Sequence, residues 1–223
     1  MAKVMKIKRV QLDLNMEPCE DLLETLMQSV ESETDIMNLH ICKQNLEEEE
    51  FDNAYFENVI FDQCTFSNVT LERCSFRNVR FESCSFPNCN FSHSWFHQCE
   101  FMGTQLVGAN FGSSNFVDFI VQKSALRYAN FTSARFDRSE IIDCDCTDTF
   151  FAECSLGSFV VDQTRFVRSE FFHTSLKDVD FTTSELDGIC VSDRGEELKG
   201  AVVNAFQAIE LSKLLGLVVK EDA

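Results

Sequence analysis

The sequence has little of what identifies several common protein classes. It contains no run of about 18 apolar residues, which excludes an ordinary transmembrane helix, and charged residues interrupt its first 15 positions, which argues against a signal peptide. Basic residues are few, 19 against 37 acidic ones, and the net charge of −18 disfavours binding to nucleic acid or to an anionic membrane. We therefore expect a cytoplasmic protein whose partners present basic protein surfaces.

Catalytic and cofactor motifs are equally scarce. The sequence has no glycine-rich phosphate loop and no nucleophile elbow, and its four His residues fit no catalytic triad. His93 and His97 lie between Cys89 and Cys99, as in some zinc sites, but the repeat described next directs the two Cys inward and the two His outward. We expect no metal, no cofactor and no enzymatic activity.

Phenylalanine, by contrast, is abundant, and most of its 23 residues recur with a period of five. A large apolar residue, most often Phe or Leu, occupies nearly every fifth position from Leu46 to Leu186; we call these positions the central series. Neither a strand, with a period of two, nor a helix, with about 3.6, produces this spacing. Two residues before each central residue lies a mostly small one, often Cys, which we interpret as buried filler. Fixed repetition of this kind is typical of a solenoid.

The pattern of a small residue, any residue and then Phe or Leu, with Asn at flanks such as Asn58, Asn68 and Asn78, resembles the pentapeptide-repeat family. The resemblance implies an all-β fold, a right-handed quadrilateral β-helix over residues 44–191 with four pentapeptides in each coil. Residues 20 apart then stack at the spacing of paired strands, giving about seven coils and a rod of roughly 35 Å. The predicted core ladder includes Phe66, Phe81, Phe86, Phe101, Phe131, Phe151 and Phe171.

Residues 1–43 lie outside the central series and predict an N-terminal cap for the first coil. Val10, Leu12 and Leu14 alternate with polar residues as in a strand, and a helix is predicted to follow Pro18. The apolar face of this helix is predicted to consist of Leu22, Leu23, Leu26, Met27 and Val30.

Residues 192–223 predict a helix and then a short strand, Leu217 to Val219. Their sequence carries a second resemblance, to the C-terminal segment of Qnr-type and Mfp-like pentapeptide-repeat proteins. The matching residues are Gln207-Ala208-Ile209, Leu211 and Leu215-Gly216-Leu217-Val218. The resemblance implies tail-to-tail homodimerisation, and the residues expected at the interface are Phe206, Ile209, Leu211, Leu214, Leu215, Leu217 and Val219.

The same resemblance implies a function. Qnr-type proteins mimic DNA, bind the type II topoisomerases DNA gyrase and topoisomerase IV, and protect them from fluoroquinolones, which confers antibiotic resistance. Two alternatives remain open: an immunity protein against a gyrase-targeting toxin, and a structural protein-interaction module without a topoisomerase partner. The unbroken register leaves no room for the loops that project from many Qnr proteins, so protection and simple inhibition of the enzyme are not separated at this point.

Acidic residues near the C-terminal end of the predicted β-helix are the expected contact surface for such a partner. Residues 44–63 carry a net charge of −7 and residues 144–188 of −6, whereas residues 64–143 are neutral. In a tail-to-tail dimer the acids of the later coils would meet at the centre of the rod. The predicted acidic cluster consists of Asp143, Asp145, Asp148, Glu153, Asp162, Glu170, Asp178, Asp180, Glu185 and Asp187.

One apolar patch falls at outward positions of the predicted coil. It comprises Met102, Ile120, Ile142 and Val160. Either another segment of this chain covers the patch or the patch is a docking site.

Overall fold

One residue in five adopts a left-handed backbone conformation, and this regularity produces the shape of the coil. In the computed structural model, which describes residues 6–12 and 16–220, the residues two positions after the central series turn the chain at each corner. Examples are Asn58 (φ 54°), Asn78 (φ 53°) and Gly108 (φ 69°). Asn and Gly tolerate this region better than most residues, which explains the Asn that flanks the repeat. Five residues therefore form one side of a four-sided coil.

Successive coils pair as parallel strands, and each residue lies beside its equivalent in the next coil. Phe56 pairs with Phe76, for instance, and Phe76 with Phe96. The strands are β1 (Glu17–Cys19), β2 (Ile36–Met37), β3 (Leu39–Cys42), β4 (Asn45–Glu47), β5 (Tyr55–Asp62), β6 (Thr65–Ser67), β7 (Ser75–Glu82), β8 (Trp95–Met102), β9 (Asn115–Gln122), β10 (Arg135–Ile142) and β11 (Ser155–Asp162). They form a nine-stranded sheet in the order β1-β3-β5-β7-β8-β9-β10-β11, with β2 paired to β5, and a separate β4-β6 pair. The predicted solenoid of stacked parallel coils is confirmed.

We number the four sides of the coil by their central residues. The first side is centred on Phe56 and its equivalent in each later coil, the second on Phe61, the third on Phe66 and the fourth on Leu71. The eight-residue strands bend at a left-handed corner and so cover the first and second sides. Shorter pairings, such as the bridge from Thr70 to Asn90, connect the coils elsewhere.

Phenylalanine rings fill the interior in columns. On the fourth side the ring centroids of Phe91, Phe111, Phe131, Phe151 and Phe171 follow one another at 5.1, 5.0, 5.1 and 5.4 Å, with interplanar angles of 4 to 7°. Rings on adjacent sides meet edge-on, which is a favoured aromatic geometry. The residues named above for the core ladder are all 2% exposed or less.

The ladder of coils extends beyond the central series at both ends. Ile36 of β2 already pairs with Phe56. In a regular coil the amide of Phe66 donates to the carbonyl of Ser85, which lies 19 residues later (85 − 66). At the C-terminal end the amide of Phe181 donates to the carbonyl of Val202, which lies 21 residues later (202 − 181). The last coil therefore contains two additional residues, which lie near a short 3-10 helix, Glu196–Leu198.

Glu197 replaces a backbone acceptor that the two additional residues displace. Its carboxylate is buried and accepts hydrogen bonds from the amide of His173 (2.9 Å), the amide of Ser192 (3.2 Å) and the Ser192 hydroxyl (2.8 Å). Burial by itself would raise the pKa of the Glu197 carboxyl, but these donors outweigh it and hold the pKa below its ordinary value.

The N-terminal helix α1 (Leu22–Ser32) begins at Asp21, whose side chain accepts a hydrogen bond from the Glu24 amide at 3.0 Å. Its predicted apolar face is only partly correct. Leu22 and Leu26 are buried against the first coils, whereas the remaining three residues of that face are exposed, because the helix touches the coil along one narrow line. The three exposed residues are Leu23, Met27 and Val30.

Two predicted strands are absent from the described residues. Residues 6–12, which include Val10 and Leu12, form no regular strand but cross the outside of the coil, and Leu14 lies outside the described residues. The C-terminal helix α2 (Ala205–Leu214) is present, whereas residues 217–220 have no regular secondary structure. A strand needs a paired edge for its backbone groups, and residues 217–220 pair with no other described segment.

Candidate protein-interaction surfaces

Most cysteine thiols belong to the core. All 11 are free and eight are buried, and seven of these eight donate to carbonyls of the preceding coil, as Cys74 does to Phe51 at 3.2 Å and Cys89 to Phe66 at 3.2 Å. Burial raises the pKa of Cys74 to about 12, so its thiol stays protonated. Within residues 6–12 and 16–220, no three His, Cys, Asp or Glu side chains form a group that could hold a metal ion.

The ten acids of the predicted acidic cluster occupy all four sides of the last coils, so they do not form one continuous patch. Three of them are paired with arginines: Asp145 with Arg127 at 2.7 Å, Asp148 with Arg168 at 2.6 Å and Glu185 with Arg165 at 2.9 Å. The Arg168 guanidinium holds the pKa of the Asp148 carboxyl below its ordinary range. These arginines offset part of the negative charge that the sequence suggests.

The other seven acids make no ion pair with any described residue. They are Asp143, Glu153, Asp162, Glu170, Asp178, Asp180 and Asp187. Four of them, Asp143, Asp162, Asp178 and Asp180, lie on the second side or at its edges. The Thr182 hydroxyl (2.7 Å) and amide (2.9 Å) donate to Asp180 and lower the pKa of its carboxyl. The second side therefore carries the highest local concentration of uncompensated negative charge in the last coils.

The helix α2 is attached to the last coil by Leu211, which is buried in the core, by the N-cap Asn204, whose Nδ2 donates to the Thr182 carbonyl at 3.1 Å, and by Gln207. Its Nε2 donates to the carbonyls of Phe181 (2.7 Å) and Ser184 (2.6 Å), and its Oε1 accepts from the amide of Asn204 at 2.8 Å. The Asn204 side chain in turn accepts from the Gln207 amide, which completes a capping box. Gln207 thus caps the helix and also covers open carbonyls at the end of the solenoid.

An apolar surface projects from this end of the rod. Of the seven residues predicted at the dimer interface, only Leu211 is buried, at 8% exposed. Phe206 is 82% exposed, and the neighbouring Val218 is 88% exposed. The remaining five, all at least 41% exposed, are Ile209, Leu214, Leu215, Leu217 and Val219. Exposed apolar side chains concentrated in one segment in this way indicate a binding partner.

Residues 6–12, which we call the strap, cross strands β7 to β9 on the outside of the coil. The Lys8 amide donates to Asp118 (3.1 Å) and the Val10 amide to Glu100 (3.1 Å). At Gln11 the contact is reciprocal: its amide donates to Asn78 Oδ1 (2.8 Å) and its carbonyl accepts from Asn78 Nδ2 (2.6 Å). Side chains of the coil thus recognise the strap through its backbone.

The two carboxylates that accept from the strap are buried and paired. Glu100 accepts from both Nε (3.0 Å) and an Nη (2.8 Å) of Arg80, and Asp118 accepts from Nε (2.8 Å) and an Nη (3.2 Å) of Arg138. Burial would raise the pKa of the Asp118 carboxyl, but Arg138 and the Lys8 amide outweigh it and keep the pKa below its ordinary value. The Asp118 carboxylate therefore remains ionised beneath the strap.

The apolar patch at outward positions is covered in one part and open in another. Ile120 is fully buried where the strap crosses, Met102 and Ile142 are half-buried, and Val160 is 38% exposed. Coverage of this patch by another segment of the chain was one of the two alternatives left open by the sequence, and the strap is that segment over Ile120; the role of Gln207 was not foreseen. A usable signal for the strap existed, since Lys6, Lys8 and Arg9 concentrate positive charge in a chain of net charge −18.

Neither helix of the described chain is long and apolar enough to cross a membrane. Comparison with known families shows that the profile described as pentapeptide repeat region matches residues 34–111 and 74–141. No curated protein sequence matches the chain.

Several solved structures are similar to this chain. Two trypsin-treated variants of QnrB1, a plasmid-mediated fluoroquinolone resistance protein, are 18% and 19% identical, with TM-scores of 0.44 and 0.47. The matches cover 81% and 80% of this chain and 99% of each of those chains. HetL, a pentapeptide repeat protein involved in heterocyst differentiation regulation from the cyanobacterium Nostoc sp. strain PCC 7120, is 9% identical with a TM-score of 0.35. That match covers 82% of this chain and 100% of HetL.

Proposed function

The chain is a pentapeptide-repeat protein, and from this premise we propose that it is a DNA-mimicking binder of type II topoisomerases. In this proposal it binds DNA gyrase and topoisomerase IV as a homodimer and protects them from fluoroquinolones, without catalysing a reaction. Its binding surface would be acidic side chains, and its target the basic surface on which the enzyme holds DNA.

The observation that carries the proposal is the exposed apolar surface at the C-terminal end. Phe206 and Val218 are among the most exposed apolar side chains of the described chain, although they lie beside a coil whose interior is densely packed. The resemblance of this segment to the Qnr-type C-terminus supports a second copy of the chain as the partner for this surface. A tail-to-tail pair would double the length of the rod to roughly 70 Å.

The charge of the rod supports the comparison with DNA in magnitude. Residues 44–188 carry −13, the sum of −7, 0 and −6 over the three stretches given above. A duplex of the same length, about 35 Å, carries about 20 phosphate charges. The paired arginines concentrate the uncompensated charge on the second side, so contact with the enzyme is expected there and not evenly around the rod.

A supercoiling assay with purified gyrase, with and without a fluoroquinolone, tests the proposal. The wild-type chain should restore supercoiling in the presence of the drug. Charge reversal of four unpaired acids on the second side or at its edges, Asp143, Asp162, Asp178 and Asp180 to Lys, should abolish this rescue. The matched control reverses the four consecutive acids at residues 47–50, which lie at the other end of the rod and make the same change in net charge.

The outcomes separate the possible functions. Rescue by the wild type and the control, but not by the quadruple variant, supports protection through the acidic coils. Inhibition of supercoiling without rescue would support DNA mimicry alone, as would be expected of an immunity protein whose natural toxin is not the drug. No effect of the wild-type chain on gyrase would refute topoisomerase binding and leave a structural interaction module.

A further inference from the structure

Outward side chains of the second side form a line along the rod in which acidic and aliphatic residues alternate. Strand pairing places Glu100 beside Ile120, Ile120 beside Glu140, and Glu140 beside Val160. The same register continues the line to Asp180, which pairs with Val202. We call these residues the acid–aliphatic line: Glu100, Ile120, Glu140, Val160, Asp180 and Val202.

The strap occupies the N-terminal half of this line. The Val10 amide donates to Glu100, the Arg9 guanidinium lies 3.4 Å from the Glu140 carboxylate, and Ile120 between them is fully buried. Val10 itself is 8% exposed. The strap is therefore a bound example of the ligand that this alternation accepts: an extended segment whose backbone amide contacts Glu100, whose basic Arg9 contacts Glu140 and whose aliphatic Val10 is buried.

The C-terminal half of the line has the same alternation and is uncovered. Val160 is 38% and Val202 45% exposed, and Asp180 between them is also exposed. A further acid, Asp178, lies at the corner of the same side, in the position that Asp118 occupies where it accepts from the strap. Neither Asp178 nor Asp180 forms an ion pair with a residue of the described chain.

We propose that the uncovered half binds an extended segment of a partner protein whose sequence, like Lys8-Arg9-Val10 of the strap, sets an aliphatic residue next to basic ones. Two independent features support this occupant. The open half continues an interface that already holds such a segment, and its uncompensated carboxylates complement basic side chains. Main-chain hydrogen bonds to corner side chains would supply affinity that does not depend on the exact side chains of the partner.

A labelled peptide of residues 6–12, KIKRVQL, is the probe, and fluorescence anisotropy with the full-length protein is the measurement. The wild-type chain should bind the peptide at its open half. Asp180→Lys should weaken binding at least about tenfold, because it places a repulsive charge in the centre of that half. Asp187→Lys is the matched control, with the same change in charge on the third side, and should leave the affinity within about twofold.

Two further variants distinguish the open half from the occupied one. Asn78→Ala removes a contact of the strap and should leave peptide affinity unchanged, whereas Val160→Ser, which removes apolar contact area without adding charge, should weaken it. Absence of binding to the wild type would overturn the proposal. Equal losses of peptide affinity in the Asp180 and Asp187 variants would also overturn it, because they would show non-specific attraction to an acidic protein. A loss of affinity in Asn78→Ala would overturn it by showing that the peptide replaces the strap.

The remaining alternative to a partner protein is a second copy of this chain, whose strap would occupy the acid–aliphatic line. Sedimentation of the Asp180→Lys variant gives this answer, since loss of self-association would place the strap of another copy on the line and overturn the assignment to a partner protein. An unchanged molecular mass of the variant in solution supports the assignment to a partner protein. Thermal unfolding followed by circular dichroism shows that each variant is folded, and because no topoisomerase is used, the outcome is independent of the function proposed above.

Discussion

Substitution of one phenylalanine in the middle of the fourth-side column should destabilise the whole rod. Phe111 is 1% exposed and lies between Phe91 (5.1 Å) and Phe131 (5.0 Å), with nearly parallel rings on both faces. Phe116 touches its edge at 5.9 Å. Alanine at this position removes the ring from contacts in three coils, and backbone hydrogen bonds on both sides prevent the coils from moving together to fill the space.

The expected cost follows from the geometry. Removal of a buried Phe ring destabilises a protein by about 3–5 kcal/mol, including the cavity that remains, out of a total of about 5–15 kcal/mol for a typical domain. Phe171 is a matched position, since it is also 1% exposed but has a stacked ring, Phe151, on one side only. A stacked pair contributes about 0.5–1.5 kcal/mol beyond burial, so Phe171→Ala should cost about 1 kcal/mol less than Phe111→Ala.

Equilibrium unfolding in guanidinium chloride measures both values. Circular dichroism reports the sheet and fluorescence reports Trp95, the only Trp of the chain, and coincidence of the two transitions justifies a single free energy of unfolding. A cost at Phe171 equal to or larger than that at Phe111 would contradict the reasoning from two-sided stacking. A cost at Phe111 below about 1.5 kcal/mol would contradict the rigid cavity.

Two further predictions concern the C-terminal part of the chain. Glu197→Gln should lower the free energy of unfolding at neutral pH by about 1–2 kcal/mol, because an amide accepts more weakly from His173 and Ser192. The pKa of the Glu197 carboxyl is lowered by folding, so its stabilising contribution is complete above the ordinary value of 4.5. This contribution is lost as the pH falls through the folded-state pKa. The urea midpoints of the wild type and the variant should therefore differ at pH 7 and coincide at about pH 3. A difference that persists at the lower pH would exclude loss of the carboxylate as its cause. In light scattering, Phe206→Asp should convert the proposed dimer to a monomer of 25.5 kDa. The control is Tyr128→Asp, at another exposed aromatic residue, and this variant should stay dimeric. A dimeric Phe206 variant would place the interface elsewhere.

The sequence predicts the coil well because its spacing directly encodes the geometry. A left-handed residue every five positions and a large apolar residue two positions earlier leave few alternatives to a four-sided coil. The same argument fails at the ends. Helical periodicity gives α1 five apolar residues on one face, but only Leu22 and Leu26 reach the first coils, since a helix that lies across an edge contacts it along a line.

Contacts between distant side chains are what the sequence does not reveal. The strap is held by Asn78, Glu100 and Asp118, which follow it by 67 to 110 residues, and no periodicity connects the two. The acidic cluster shows the same difficulty, because counting charges cannot distinguish Asp148, paired with Arg168, from acids without such a partner. Gln207 belongs to a motif visible in the sequence, but its contacts with two carbonyls of the last coil depend on the fold.

The two additional residues of the last coil have a consequence for how such a chain can change in length. Every coil uses its neighbours as templates, so additional residues that stay within the wall of a central coil, unlike a projecting loop, would misalign hydrogen bonds on both of its edges. The last coil has a neighbour on one edge only, and there a single carboxylate, that of Glu197, restores the missing acceptor. Growth by whole coils is therefore compatible with any part of the rod, whereas irregular insertions are accommodated at its terminal coil.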